Sequence, residues 1–94
     1  MATTDILQKF EAAVERVRTA PADGPIRPSN EIKLRMYALF RQASEGDVDS
    51  KRPGLLDPVG RFKYDAWAKL SGTSKDAAMQ DYVAEVEALE RKYG

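Results

Sequence analysis

The sequence predicts an all-α fold, a four-helix bundle with long connections, on three observations. Apolar residues recur three and four apart in four separate segments, the spacing that lines them up on one face of a helix. No segment alternates apolar and polar residues as a half-buried strand does. Two connections, over residues 19–28 and 47–56, carry proline and glycine and are too long for a short-looped up-and-down bundle.

Each element follows from local chemistry. Thr3 or Thr4 caps a first helix with Asp5 near its positive end. Ile6, Leu7, Phe10, Ala13, Val14 and Val17 then form one apolar face that ends at Val17 or Arg18. Between Thr19 and Pro28, three prolines and a glycine rule out a regular helix. That stretch reads as a surface connection of variable length, with a flap near a ligand as the alternative. Ser29 or Asn30 caps the second helix, Glu31 suits its first turn, and Gly46 stops it. Ile32, Met36, Leu39 and Ala43 make its packing seam. Lys33, Tyr37, Phe40, Arg41 and Ser44 make a neighbouring stripe that joins two aromatic rings to two cations. A flat, anionic object would suit that stripe; core packing, with the cations snorkelling over an apolar shoulder, is the alternative.

In the second connection, Leu55 and Leu56 are too apolar for an idle loop and are expected to fold back onto the bundle. Asp47 and Asp49 do not begin a calcium loop: Lys51 fills the third ligand position and Pro58 the twelfth, where a bidentate Glu belongs. Asp57 and Pro58 read as an N-cap followed by proline at the first helical position. On the third helix Val59, Phe62, Ala66, Trp67 and Leu70 form an apolar arc, and Lys63 falls inside it. A cation there needs water or a counter-anion. Gly72 ends this helix, and Thr73 with Asp76 forms a box-like cap for the last. The last helix, the longest, buries Ala78, Met79, Tyr82, Val83, Val86, Leu89 and Tyr93.

Composition narrows the function. Ninety-four residues suit a single domain, residues 1–94, with one modest core. Fifteen basic residues balance fifteen acidic ones, which removes the long-range field of a nucleic-acid binder, so any anion site is local. The absence of cysteine and histidine leaves no thiolate, no imidazole base and no nucleophile–base pair of the Ser–His or Cys–His kind, and no metal site is expected. Carboxylate chemistry alone stays open. No apolar run approaches the roughly 20 residues of a membrane span, and the N-terminus lacks a basic region followed by an apolar block, so a cytoplasmic chain without stable membrane insertion is expected.

The run Pro28-Ser29-Asn30-Glu31, then Tyr37-Ala38-Leu39-Phe40-Arg41-Gln42-Ala43-Ser44 and Gly46-Asp47, resembles the signature of the acyl-CoA-binding protein family. Lys51-Arg52-Pro53-Gly54, Lys63-Tyr64-Asp65-Ala66-Trp67, Gly72-Thr73-Ser74 and Tyr82 continue the pattern in order, so the resemblance runs from Phe10 to Tyr93. It implies that fold, and reversible, non-catalytic binding and transport of medium- to long-chain fatty acyl-CoA as a protected pool. By motif position it places Phe40 on the adenine, Tyr37 near the phosphates, and Arg41 and Lys63 on the ribose 3′-phosphate. Tyr82 matches a tyrosine that contacts the nucleotide, and Arg18 takes the place of a basic residue that reaches the phosphates. Leu34, Leu55, Leu56 and Tyr64 are candidates for the acyl groove.

Three departures from the family pattern bear on affinity. Arg41 replaces a lysine and offers a planar fork of donors. Lys33 stands where an apolar residue is preferred, either adding a cation for the phosphates or removing a wall from the acyl groove. Tyr64 replaces a frequent tryptophan. The resemblance further implies no cofactor besides the bound ligand, transient contact with acyl-CoA-using enzymes, and a monomer. A helical protein-interaction module that keeps the fold without the ligand, and a weak acyl-CoA hydrolase, are the competing functions.

Overall fold

The computed structural model describes residues 2–20 and 28–93, with backbone alone for residues 2–4 and for Tyr93. Among these residues four helices form: α1 (Ala2–Thr19), α2 (Asn30–Glu45), α3 (Pro58–Ala68) and α4 (Lys75–Tyr93). The proline-bearing connection lies outside the described residues from 21 to 27, as does the Tyr93 side chain, which the sequence expects to be buried.

The helix boundaries are set by side chains that satisfy otherwise unpaired backbone groups. The Ser29 hydroxyl accepts from the Ile32 N–H at 3.2 Å and starts α2. Gly46 closes it at φ 85°, where a side chain would be strained, and donates its N–H to Gln42 O. The Asp57 carboxylate accepts from the Gly60 N–H at 3.0 Å, with Pro58 just behind it. An added Cβ at position 60 would stand 2.2 Å from that carboxylate, so a side chain there would push the capping group aside. α4 starts differently from the expectation: Ser74, not Thr73, caps it, its hydroxyl accepting from the Ala77 N–H at 3.0 Å. α1 also begins at Ala2, ahead of both Thr3 and Thr4. α3 stops at Ala68, and two further turns lead to Gly72 at φ 93°.

Cross-helix contacts fix the topology. Phe10 meets Tyr82 and Arg16 meets Glu90, so α1 and α4 run in the same direction. Gln42 reaches Thr73 and Arg35 reaches Glu85, so α2 runs opposite to α4. Lys63 stands over Tyr37, and Trp67, four residues on, stands by Arg41, so α3 runs with α2. The long crossover from Gly46 to Asp57 is what permits two consecutive helices to run the same way.

The core lies among α1, α2 and α4. Phe10 and Ala13, Met36, Leu39 and Ala43, and Ala78, Tyr82, Val83, Val86 and Leu89 form one buried cluster. Leu7 and Val17 sit at its rim and are exposed. α3 packs on α2 alone and contributes only Trp67 to the interior, the indole N–H donating to Gly46 O at 2.9 Å. The arc expected to be core on α3 is therefore largely open: Val59 and Phe62 are each 62 % exposed. Leu55 and Leu56, expected to fold back onto the bundle, instead stand out from it at 82 % and 100 % exposure. The molecule is a slab, 38 × 37 × 17 Å.

A polar clasp holds the two ends of the seam's backing together. Gln42, fully buried, donates its amide to both Asp47 Oδ1 and Thr73 O at 2.7 Å, and the Gly72 N–H donates to the same Asp47 oxygen at 2.9 Å. These donors, Gly72 first and Gln42 second, hold the Asp47 carboxyl below its ordinary range.

Candidate functional site

The second stripe of α2 faces α3, and the two helices bring its residues to a common edge. Tyr37 is the hub. The Lys63 ammonium lies 5.3 Å from the centre of its ring, and the Arg41 guanidinium 5.5 Å from it. Arg41 Nε donates to the Tyr37 hydroxyl at 3.1 Å, its Nη1 pairs with Glu45, and its guanidinium also stands 5.4 Å from the Trp67 ring. The bonds to Tyr37 and then to Glu45 push Arg41 further above its already high pKa, so it stays charged at any working pH. Cations over ring faces are held in place by the ring quadrupole without losing their hydrogen-bonding capacity. Lys63 is exposed, so its ammonium is open to an anion from solvent.

Below this edge runs an open groove of about 340 Å³ lined by Asn30, Lys33, Leu34, Tyr37, Val59, Phe62 and Lys63. Its walls are mostly carbon. Beside it, Phe40 is 37 % exposed and stacks on Phe10 at 6.2 Å between ring centres. Phe10 in turn meets Tyr82 edge to face at 5.2 Å. The file Phe40–Phe10–Tyr82 thus carries one free aromatic face at the surface on a support that reaches the core. Tyr82 is 4 % exposed, and burial raises its hydroxyl pKa.

The structure gathers Lys33, Leu34, Tyr37 and Lys63 around the groove and sets Arg41 against Tyr37, while Phe40 stacks on Phe10 of α1 with Tyr82 beyond it. It does not bring Arg18 there: that guanidinium binds Glu15, one turn back on α1, at 2.8 Å. Tyr64 turns toward the crossover, its hydroxyl donating to Ser50 O at 2.9 Å, and does not line the groove. Leu55 and Leu56 do not line it either. Asn30, Val59 and Phe62 line the groove without having been singled out as site residues. The signal for the last two was Lys63, a cation inside their own arc, which marks a face meant for something other than the core. Among the described residues no cluster of Asp, Glu, His or Cys could hold a metal, and no helix is long and apolar enough to cross a membrane.

Such a site defines a class: a helical binding protein offering cations and an aromatic face beside an apolar trough, suited to an amphipathic anion. Comparison with known proteins supplies the family. Residues 7–86 match the profile of the family described as "Acyl CoA binding protein". The chain is 46 % identical over 88 residues to the acyl-CoA-binding protein homolog of Drosophila melanogaster, covering 94 % of this chain and 98 % of that one. It is 43 % identical over 81 residues to acyl-CoA-binding domain-containing protein 5 of Rattus norvegicus, covering 86 % of this chain but 16 % of that longer protein. The crystal structure of ACBP from Moniliophthora perniciosa superposes with a TM-score of 0.88 at 45 % identity, over 92 % of this chain and 81 % of the other. The chain belongs to the acyl-CoA-binding protein family, whose members are binding proteins and not enzymes.

Proposed function

We propose that this chain binds medium- to long-chain fatty acyl-CoA reversibly and performs no chemistry on it, holding the thioester as a protected pool. The observation that carries this reading is the meeting of Tyr37, Arg41 and Lys63 at the mouth of the Leu34–Phe62 groove. Arg41 and Lys63 supply charge-assisted hydrogen bonds to the ribose 3′-phosphate, and the Tyr37 hydroxyl adds a polar contact to the phosphate region. Phe40 stacks on the adenine, with Tyr82 bracing it through Phe10 and touching the nucleotide at its remaining exposed edge. The acyl chain fills the groove, each buried methylene contributing up to about 0.8 kcal/mol, so affinity rises steeply with chain length until the groove is full. Residues 1–94 then act as one acyl-CoA-binding domain, a monomer in the cytoplasm that delivers its ligand to acyl-CoA-using enzymes by transient contact.

The test is calorimetric titration of delipidated protein with a long-chain acyl-CoA, with free CoA and the free fatty acid as controls. Tight one-to-one binding of the thioester and much weaker binding of either fragment is the expected result. No heat and no competition would overturn it. The exposed Leu55 and Leu56 favour, as a second reading, a protein-interaction module, and that negative result would point to it.

A further inference from the structure

We infer that Lys33 makes the far end of the groove a receptor for an anionic group, so that the chain prefers ω-carboxyacyl thioesters to plain acyl chains of the same length. The inference rests on the acyl-CoA reading and deepens it by naming the acyl class.

The starting point is the pairing of cations. Arg16, Arg18, Arg35, Arg41 and Arg52 each have a carboxylate partner. Neither cation lining the groove, Lys33 or Lys63, has one among the described residues; Lys63 stands over the Tyr37 ring, whereas Lys33 has the carbon surfaces of Leu34, Val59 and Phe62 as its neighbouring walls. Lys33 is exposed and hydrated in the empty groove, and a chain laid beside it displaces part of that water unless the side chain turns away.

Direction decides what Lys33 meets. Because α2 and α3 run the same way, the groove has a distinct end at Tyr37 and Lys63 and another at Asn30 and Lys33, with Val59 one turn before Lys63 on the facing helix. The seven residues from Asn30 to Tyr37 span roughly 10 Å of helix. A thioester anchored by its phosphates at the Arg41 end lays its chain toward Lys33. A plain chain offers the ammonium no partner and obliges it to swing aside or shed water. A terminal carboxylate instead meets it in a charge-assisted hydrogen bond, with the Asn30 amide as a second donor.

The experiment is calorimetric titration of the wild-type chain, Lys33→Met and Lys33→Arg with dodecanoyl-CoA, its ω-carboxy counterpart and free CoA. In the wild type the ω-carboxy thioester binds more tightly than the plain one. In Lys33→Met the ratio of the two affinities falls about tenfold or more, the plain chain gaining and the carboxylated one losing. Lys33→Arg keeps the preference, and free CoA binds all three proteins alike. An unmoved ratio overturns this inference alone. Equal weakening of both thioesters and of free CoA assigns Lys33 to the phosphates and overturns it as well. Failure of either thioester to bind the wild type overturns the acyl-CoA reading itself, and this inference with it.

Discussion

The two sides of α2 show what an apolar stripe is for. On one side Met36, Leu39 and Ala43 disappear against α1 and α4 into a closed core. On the other, Leu34 and Tyr37 face Val59 and Phe62 of α3 across a groove that stays open, with cations at its rim. Both sides have the composition and spacing of a packing surface. Only the first is covered by protein; the second stays open to solvent. The distinguishing mark is unpaired charge: at the border of the closed side Arg35 is matched by Glu85 of α4, whereas the open side carries Lys33 and Lys63 without a carboxylate partner among the described residues.

Substitutions on the two sides should separate stability from binding. Leu39→Ala, at a position with no exposed surface, is expected to cost about 2–5 kcal/mol of folding stability, whereas Phe62→Ala should stay within about 0.5 kcal/mol while weakening the acyl-CoA complex. Urea unfolding of both variants checks this; equal destabilisation would mean that the α3 face is core after all. Lys63→Ala should lower affinity for acyl-CoA by about 1.5–3 kcal/mol without moving the unfolding midpoint. Unchanged affinity would remove Lys63 from the site.

Smaller effects are expected where α3 is tied to the rest. Trp67→Phe deletes the hydrogen bond to Gly46 O and should cost about 1 kcal/mol in stability, with a further loss of binding because Arg41 loses part of its ring support. Intact binding would show that the groove does not depend on this tie. The least effect concerns pH. Asp47 titrates below its ordinary value in the folded chain, so its contribution to stability is complete above the unfolded carboxylate value and disappears as pH falls through the folded one. Below about pH 4, therefore, wild type should lose stability more steeply than Asp47→Asn; parallel acid limbs in circular dichroism would contradict the clasp.

Much of this architecture was legible in the sequence because it is local. Ser29, Gly46 and Asp57-Pro58 act within a turn of themselves, and the Ile32–Ala43 seam is a matter of spacing along one helix. What was not legible depends on partners distant in the chain. Periodicity shows that α3 has an apolar face but not whether protein covers it, so it predicts core positions for Val59 and Phe62 that the fold leaves open. The same logic folds Leu55 and Leu56 onto a bundle that they in fact stand out from. Thr73 and Ser74 are adjacent hydroxyls of similar capping power, and only the chain's entry into α4 selects Ser74. Tyr37 and Lys63 share a stripe only once α2 and α3 run together, a consequence of the crossover that no window of sequence contains. The signature motifs point to Tyr37, Phe40, Arg41 and Lys63; the fold sets Arg41 and Lys63 against Tyr37 and stacks Phe40 on Phe10.

The most direct test of the claim that the α2–α3 side is the open, ligand-facing one is an NMR titration with a long-chain acyl-CoA, following backbone amides and side-chain methyl and aromatic signals. Large shifts should be confined to residues 30–41 and 59–63 and to Phe10 and Tyr82 behind Phe40, with Leu89 and Val86 on the closed side unmoved. Shifts concentrated on α1 and α4, with Val59, Phe62 and Lys63 silent, would contradict it.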